Sequence, residues 1–503
     1  MIGLTALRLL LALPLLASPV IYLAGRISVR LGKSARPARW LAVLICLLTW
    51  VPLVLAAQSI LQEGPIDRIV MGVSMRMDGI SLLLAGTVLA LGTLVMVFSM
   101  PYMRGDEGEE KYYALLPAMM GSMIGLGCAN DLFNLWVWFE AMAVSSYLLV
   151  AFYHEEPASL EAGVKYLVQS AAGSALVLLG VALVFAQTGS LRLDEISAAP
   201  YSLPILAAGA LFVIGFGVKT ALVPLHTWLP DAHSQAPSGI SAMLSGVVIE
   251  AGLVAMLRTL GNLPGGHEHA AVWGQLLLGF GAFNILVGNL MALRQTQVKR
   301  LLAYSSLAHV GYMLVGFGVS ASFHLPDAAA GGFFHLFNHA MMKGLAFLAA
   351  GALLYSLHLA KGDHAPLLVE DLNGASQRYP VTAFALSLAL LALGGLPPLS
   401  GFMSKWQIFV SGAQTQSTGV ILLVVFAALN SVLSLGYYAP LVNRIYRRKP
   451  SVAVQNGAQI SKTMGLPLVV LTLVVTTFGF WPVLANPVTG LAARSMLALF
   501  GGN

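Results

Sequence analysis

Residues 203–230 read LPILAAGALFVIGFGVKTALVPLHTWLP. The first part is an apolar run of the length a bilayer requires, about 20 residues. Lys219 stands alone near its end, and Pro224 and Pro230 follow. A proline removes a helical donor, and irregular backbone at membrane depth survives only where protein or a wet cavity satisfies it. The stretch therefore predicts a membrane-spanning helix that carries one buried cation and then breaks.

The pattern recurs. Gly215-Phe216-Gly217-Val218-Lys219 is matched by Gly401-Phe402-Met403-Ser404-Lys405, and Gly394-Gly395-Leu396-Pro397-Pro398 supplies the second break. Leu167-Val168-Gln169-Ser170-Ala171 runs alongside Leu336-Phe337-Asn338-His339-Ala340. The offset between the copies changes, and the polar loop around Lys361–Arg378 absorbs the change. Two matches predict repeated units of five spans each. Five is odd, so the second unit enters the membrane from the opposite side, an inverted repeat. Such repeats place ion sites near the bilayer midplane, on interrupted helices.

Composition agrees. Of 503 residues, 58% are hydrophobic and 10% charged, against about 45–50% and about 25% in soluble domains. That excludes a soluble enzyme, and the long runs exclude a barrel of short alternating strands. Apolar runs fall near 4–25, 38–60, 79–100, 112–128, 131–152, 163–187 and 203–224, then 237–260, 271–293, 299–320, 329–358, 380–412, 418–443 and 463–487. The expected fold is an all-α polytopic membrane protein of roughly fourteen transmembrane helices, with helices seven and twelve broken. Residues 1–110 hold spans one to three, 111–262 the first repeat, 263–446 the second and 447–503 the last span. The opening MIGLTALRLLLALPLLASPV has the outline of a signal peptide, but apolar residues continue through Ile21–Ala24, which favours an uncleaved helix.

Arg26, Arg30, Lys33, Arg36 and Arg39 follow the first span, and Arg444, Arg447, Arg448, Lys449 and Lys462 precede the last. With Arg294, Lys299 and Arg300 these fall in odd-numbered loops, whereas even-numbered loops hold mainly Arg68, Arg76 and Arg192. The positive-inside rule then places odd loops in the cytoplasm and both termini outside. This distribution also explains the net charge of +6 without nucleic acid.

Cys46 and Cys128 are isolated, and neither CxxC, GxGxxG after a strand nor a phosphate loop occurs. No cofactor or metal is expected in this chain, so redox or nucleotide chemistry belongs to partners. The ionisable residues inside spans are Glu140, Lys219, Glu250, Lys343 and Lys405, joined by His309, His335 and His339. Each charge costs about 2.5–3.5 kcal/mol on the lenient insertion scale and is a functional hypothesis by default. His335, His339 and Lys343 are spaced by four and share a helix face. Plainer readings stand beside these. The lysines would serve as structural charges or snorkel to an interface, Glu140 would neutralise Lys219, and Glu250 would sit near a helix end. The histidines would be packed, and His226 and His233 would be structural or gating residues in a loop. A His335/His339 metal site lacks a nearby carboxylate.

The functional reading is a proton path. A lysine taken out of water prefers its neutral form, and an adjacent carboxylate restores the charged one. Moving one charge against 100 mV requires about 2.3 kcal/mol, similar to a pKa change of about two units.

WFE around Glu140, GFGVKTALVPLHTWLPDAHSQAPSGISAMLSG, VKRLLAYSSLAHVGYML, HLFNHAMMKGLAFLAAG and LGGLPPLSGFMSK together resemble the proton-translocating antiporter-like subunits. That family is shared by respiratory complex I, membrane-bound hydrogenases and Mrp-type cation/proton antiporters. The resemblance runs from about residue 75 to about 445. It implies that Glu140 pairs with Lys219 and that Lys405 ends a mid-membrane polar axis, with Lys343 and His309 between. Many members carry lysine where this chain has Glu250, which places an anion at the link between halves. The absence of further C-terminal spans resembles the shorter subunits.

The resemblance implies a proton-translocating subunit of a redox-driven pump, with Fe–S, flavin or hydrogenase subunits as partners. Alternatives are a subunit of a Mrp-type sodium/proton antiporter and the membrane partner of an inorganic-carbon uptake system; NDLFNLWVWFE and FNHAMMK lean toward the Mrp and hydrogenase branches rather than the standard complex I subunits. All three imply other membrane subunits and a bacterial or archaeal-type cytoplasmic membrane.

Overall fold

The computed structural model describes residues 2–70, 72–265, 268–362 and 365–501. Residues 363 and 364, in the polar loop between the repeat matches, lie outside it. The chain begins with α1 (Ile2–Arg30) and α2 (Arg36–Glu63), then an antiparallel hairpin of β1 (Ile66–Val70) and β2 (Val73–Met77). Next come α3 (Gly79–Tyr102), α4 (Glu109–Cys128), α5 (Leu132–Val150), α6 (Pro157–Thr188), α7 (Leu193–Ser197) and α8 (Leu203–Thr220). α9 (Trp228–Gln235) follows the first break. α10 (Ser238–Met243) and α11 (Ile249–Gly261) form one rod through a π-helical turn at Leu244–Val248. The second half comprises α12 (Ala270–Ala292), α13 (Val298–Phe323), α14 (Pro326–Leu357), α15 (Pro380–Gly394), α16 (Ser400–Gln414) and α17 (Thr418–Arg447). α18 (Val452–Gln455), α19 (Lys462–Phe480) and α20 (Asn486–Leu499) complete it.

Among the described residues twelve helices, the α10–α11 rod counted as one, are long and apolar enough to cross a membrane. The other two expected spans take different forms. α4 is a 20-residue helix whose first turn carries Glu109 and Glu110. The run at 380–412 is divided into α15 and α16, with Gly395 at φ +79° in the gap. The first break falls where expected: α8 ends at Thr220, and Ala221 takes φ +59°.

The layers follow from which helices meet lipid. Every residue in the most apolar window of the α10–α11 rod and of α13 is buried, and 94% of that of α14. Around them stand α1, α2, α12, α17 and α19, with outward residues such as Leu422, Leu429 and Val432 on α17 largely exposed. Lipid tails give apolar helices little reason to associate, so close backbone approach matters more than in water. Gly173 of α6 and Gly215 of α8 meet so closely that a Cβ on Gly215 would stand 2.6 Å from the Gly173 carbonyl oxygen. Gly311 of α13 stands in the same relation to Gly281 of α12.

Two features were not foreseen. The β-hairpin leads into a capped helix start, where Asp78 accepts from the Ile80 and Ser81 amides at the head of α3. Arg258 of α11 reaches the same carboxylate at 2.6 Å, fully buried. α20 folds back along α3: Ser495 accepts from the Gly79 amide at 3.1 Å, at a point where any Cβ on Gly79 would strike the Leu491 backbone.

Candidate proton-transfer site

The break after α8 places Lys219 in the last turn of its helix, buried against α6 and α11. Its Nζ donates to Tyr166 Oη at 2.9 Å and Ser170 Oγ at 3.0 Å, and lies 4.5 Å from the Tyr166 ring centroid. Tyr166 bonds in turn to Ser146 of α5 at 3.0 Å and stacks on Trp228 of α9 at 4.0 Å. Glu140 and Lys219 make no direct contact: Lys219 is engaged by the two hydroxyls of α6, and Glu140 Oε1 has no hydrogen-bond partner among the described residues, but the Glu140 charge acts on the ammonium across the gap. Gly252 lets α11 press against the Lys219 side chain, with a hypothetical Cβ only 3.1 Å from Lys219 Cβ.

Glu250 lies on that helix, just past the π turn, and is not at an exposed helix end. Its Oε1 sits 2.8 Å from His339 Nδ1 of α14, with both side chains wholly enclosed. π turns in α-helices frequently mark functional sites. This one is held by a Ser245–Ser306 hydroxyl contact at 2.7 Å, and its Gly246 packs on the Ala340 backbone.

From His339 the imidazoles form a stack. The His309 ring of α13 lies 5.2 Å from His339 and 5.1 Å from His335. His309 Nδ1 and His335 Nε2 are 3.0 Å apart, and His335 Nδ1 is 2.8 Å from Ser404 Oγ of α16. Each of these contacts can carry its hydrogen in either direction: the Ser404 hydroxyl has both the Ser400 carbonyl and His335 Nδ1 in reach, and a neutral imidazole donates at one nitrogen and accepts at the other.

Lys405, beside Ser404, donates to the Leu393 carbonyl and Ser431 Oγ, each at 2.9 Å, and lies 4.5 Å from the Tyr312 ring centroid. Lys343 donates to the Leu302 carbonyl at 2.7 Å and to Ser305 Oγ. Of the residues expected to form the path, Glu250, His309, His335, His339 and Lys405 are joined by contacts or by adjacency. Glu140 and Lys219 form a separate group, and Lys343 sits on its own branch.

Lys299 was expected to lie among exposed loop charges. It is 5% exposed in the first turn of α13, and its ammonium caps the end of α9 at the Ala236 carbonyl, 2.5 Å away. His233 is not in a loop either. It is buried in α9, stacked on Phe347 at 4.8 Å, with both ring nitrogens lacking a hydrogen-bond partner. The sequence signal for both is position: each neighbours a helix break or start.

Residues 129–434 match the family described as NADH:quinone oxidoreductase/Mrp antiporter, transmembrane, and residues 65–113 match NADH-ubiquinone oxidoreductase (complex I) chain 5 N-terminus. F(420)H(2) dehydrogenase subunit N of Methanosarcina mazei is 34% identical over 433 residues, covering 85% of each chain. NADH-quinone oxidoreductase subunit N 1 of Sorangium cellulosum is 35% identical over 429 residues, covering 81% of this chain and 80% of that one. A chain of the membrane-bound sulfane sulfur reductase, an archaeal respiratory membrane complex, superposes with a TM-score of 0.85 at 27% identity, covering 98% of this chain and 99% of that one. The chain belongs to the NADH:quinone oxidoreductase/Mrp antiporter family of membrane proteins.

Proposed function

We propose, from that membership, that the chain moves protons as one subunit of a complex I-like or hydrogenase-type redox-driven pump. Other membrane subunits surround it, and electron transfer takes place on partners. The observation that carries the reading is the buried row Glu250–His339–His309–His335–Ser404 ending beside Lys405. It runs through the helices most enclosed by protein. Ionisable groups in such a place are costly as mere packing.

Glu140 and Lys219 form the switch at the other end. Lys219 rests on Tyr166 and Ser170, and Tyr166 is stacked on Trp228, so a shift of α9 or of Glu140 changes how tightly Lys219 holds its proton. A released proton passes toward Glu250 on α11, then along the imidazoles to Lys405. Residues 111–262 and 263–446 act as the two inverted halves of this path. The two matched lysine motifs, each next to a broken span, support that division. The concentration of Arg and Lys in odd-numbered loops supports a cytoplasmic placement of those loops, with both termini outside the cytoplasmic membrane.

Mild-detergent co-purification from the native host, with mass spectrometry, tests the assignment. Fe–S, flavin or hydrogenase subunits are expected. Retention of small antiporter subunits alone would favour a sodium/proton antiporter, and a zinc protein would favour inorganic-carbon uptake. In vesicles of the recovered complex, Lys219→Ala and Glu140→Ala are expected to assemble and to lose coupled proton movement. Normal pumping in either would overturn the mechanism.

A further inference from the structure

Lys343 stands off the row that joins Glu250 to Lys405, and its own contacts lead elsewhere. Its ammonium donates to Ser305 Oγ, and Ser305 shares a hydrogen bond with Tyr438 Oη of α17. Tyr438 packs on Tyr437 with ring centroids 4.3 Å apart. Tyr437 Oη is held by Asn289 Oδ1 at 2.9 Å. Lys343, Ser305 and Tyr438 have no exposed surface, and Tyr437 is 4% exposed. Tyr437 also lines a cavity of about 450 Å³ together with Gln295, Glu370 and Arg444. Those three residues lie in the loops after α12 and α14 and at the end of α17, all on the basic-loop face of the protein.

We propose that this Ser–Tyr–Tyr chain is a second proton inlet, refilling Lys343 from the basic-loop face without passing Lys219. It rests on the proton-translocating reading above. The chain of hydroxyls suits the task because each oxygen can accept one hydrogen while giving up its own. A hydrated proton entering the cavity gives its proton to Tyr437 Oη and remains as water, and the Tyr437 hydrogen, turned from Asn289, passes to Tyr438 when the adjacent phenols swing within reach. The Tyr438 hydrogen passes to Ser305, and the Ser305 hydrogen binds the neutral Lys343 amine. Every O–H bond broken is replaced by one formed, and Lys343 gains the single added proton.

The test uses the intact complex in vesicles. Tyr438→Phe keeps the ring and removes only the relay oxygen, and Ser305→Ala and Ser305→Thr remove and retain the hydroxyl. Tyr438→Phe, Tyr437→Phe and Ser305→Ala are expected to assemble and to lower pumping by about a hundredfold, the lower range for a positioned proton-transfer group. Ser305→Thr is expected to keep pumping, which a purely structural cluster would not require. As a measurement independent of folding in these variants, Thr296→Cys at the cavity lining is labelled with a membrane-impermeant maleimide. Labelling from the basic-loop face is expected to stop pumping in an otherwise normal complex. Unchanged pumping in Tyr438→Phe and Ser305→Ala, or in labelled Thr296→Cys, while Lys219→Ala is inactive, overturns the inlet alone. Unchanged pumping in Lys219→Ala overturns the translocation reading beneath it.

Discussion

Glu250 Oε1 and His339 Nδ1 lie 2.8 Å apart, both fully enclosed, and tie α11 to α14 at the centre of the molecule. The other carboxylate oxygen and the other ring nitrogen have no hydrogen-bond partner among the described residues. One carboxylate oxygen and one ring nitrogen are thus left through which a proton can be passed on when water or a moving side chain reaches them. Glu250→Gln preserves the shape and removes the exchangeable charge. It is expected to assemble and to impair proton transfer between the halves, read as protons moved in vesicles. Normal pumping in that variant would make Glu250 a structural residue.

Tyr166 separates the hold on Lys219 from the fold. Its hydroxyl touches Lys219 and Ser146, while its ring stacks on Trp228. Tyr166→Phe keeps the stack and removes one acceptor from the ammonium, at a stability cost of about 1 kcal/mol. The expected result is near-normal assembly with reduced pumping. Equal losses in assembly and pumping would assign Tyr166 to packing.

The Arg258–Asp78 pair makes a prediction of the opposite kind. Arg258 Nη2 lies 2.6 Å from Asp78 and 2.7 Å from Ser81, and both charges are buried. Removing one partner strands the other, which typically costs about 3–5 kcal/mol. Arg258→Ala is expected to lower the amount of folded chain in the membrane and its melting temperature in detergent. An unchanged melting temperature would show the pair contributes nothing net.

Gly311→Val tests the close crossing of α12 and α13. A Cβ there would stand 2.6 Å from the Gly281 carbonyl oxygen and 2.7 Å from Ile285 Cγ1, so the helices must separate. Overpacking of this kind costs about 1–3 kcal/mol. Because α13 carries His309, the separation is expected to reduce pumping as well as thermal stability. Loss of neither would mean the crossing can yield.

Much of the site was legible as residue types. Glu140, Lys219, Glu250, Lys343, Lys405 and the three histidines are conspicuous because they interrupt apolar runs. Their partners were not. Tyr166, Ser170, Ser305, Ser404, Tyr437 and Tyr438 are ordinary in composition, and hydroxyls in a helix can bond their own backbone, as Ser146 does to the Met142 carbonyl. Glu140 acts on Lys219 at a distance for that reason: two hydroxyls of α6 hold the ammonium directly. Lys299 was misplaced because a lysine at a helix start reads as a loop charge until a neighbouring helix end closes over it.

The amino-acid sequence by itself determined that this chain spans a membrane many times, where two of its helices break, and which groups carry charge into the interior. Hydrocarbon leaves backbone few choices, so apolar length, proline and glycine suffice for those conclusions. Only the tertiary structure decided which charges meet. The α10–α11 rod, α13 and α14 are buried on almost every side, so their polar residues do not by themselves say which neighbour each one meets. The π turn at Leu244–Val248, the Gly–Gly crossings and the fold-back of α20 set their rotation and depth. A hydrogen bond forms or fails within a few tenths of an ångström, a precision that helical periodicity along one chain does not contain.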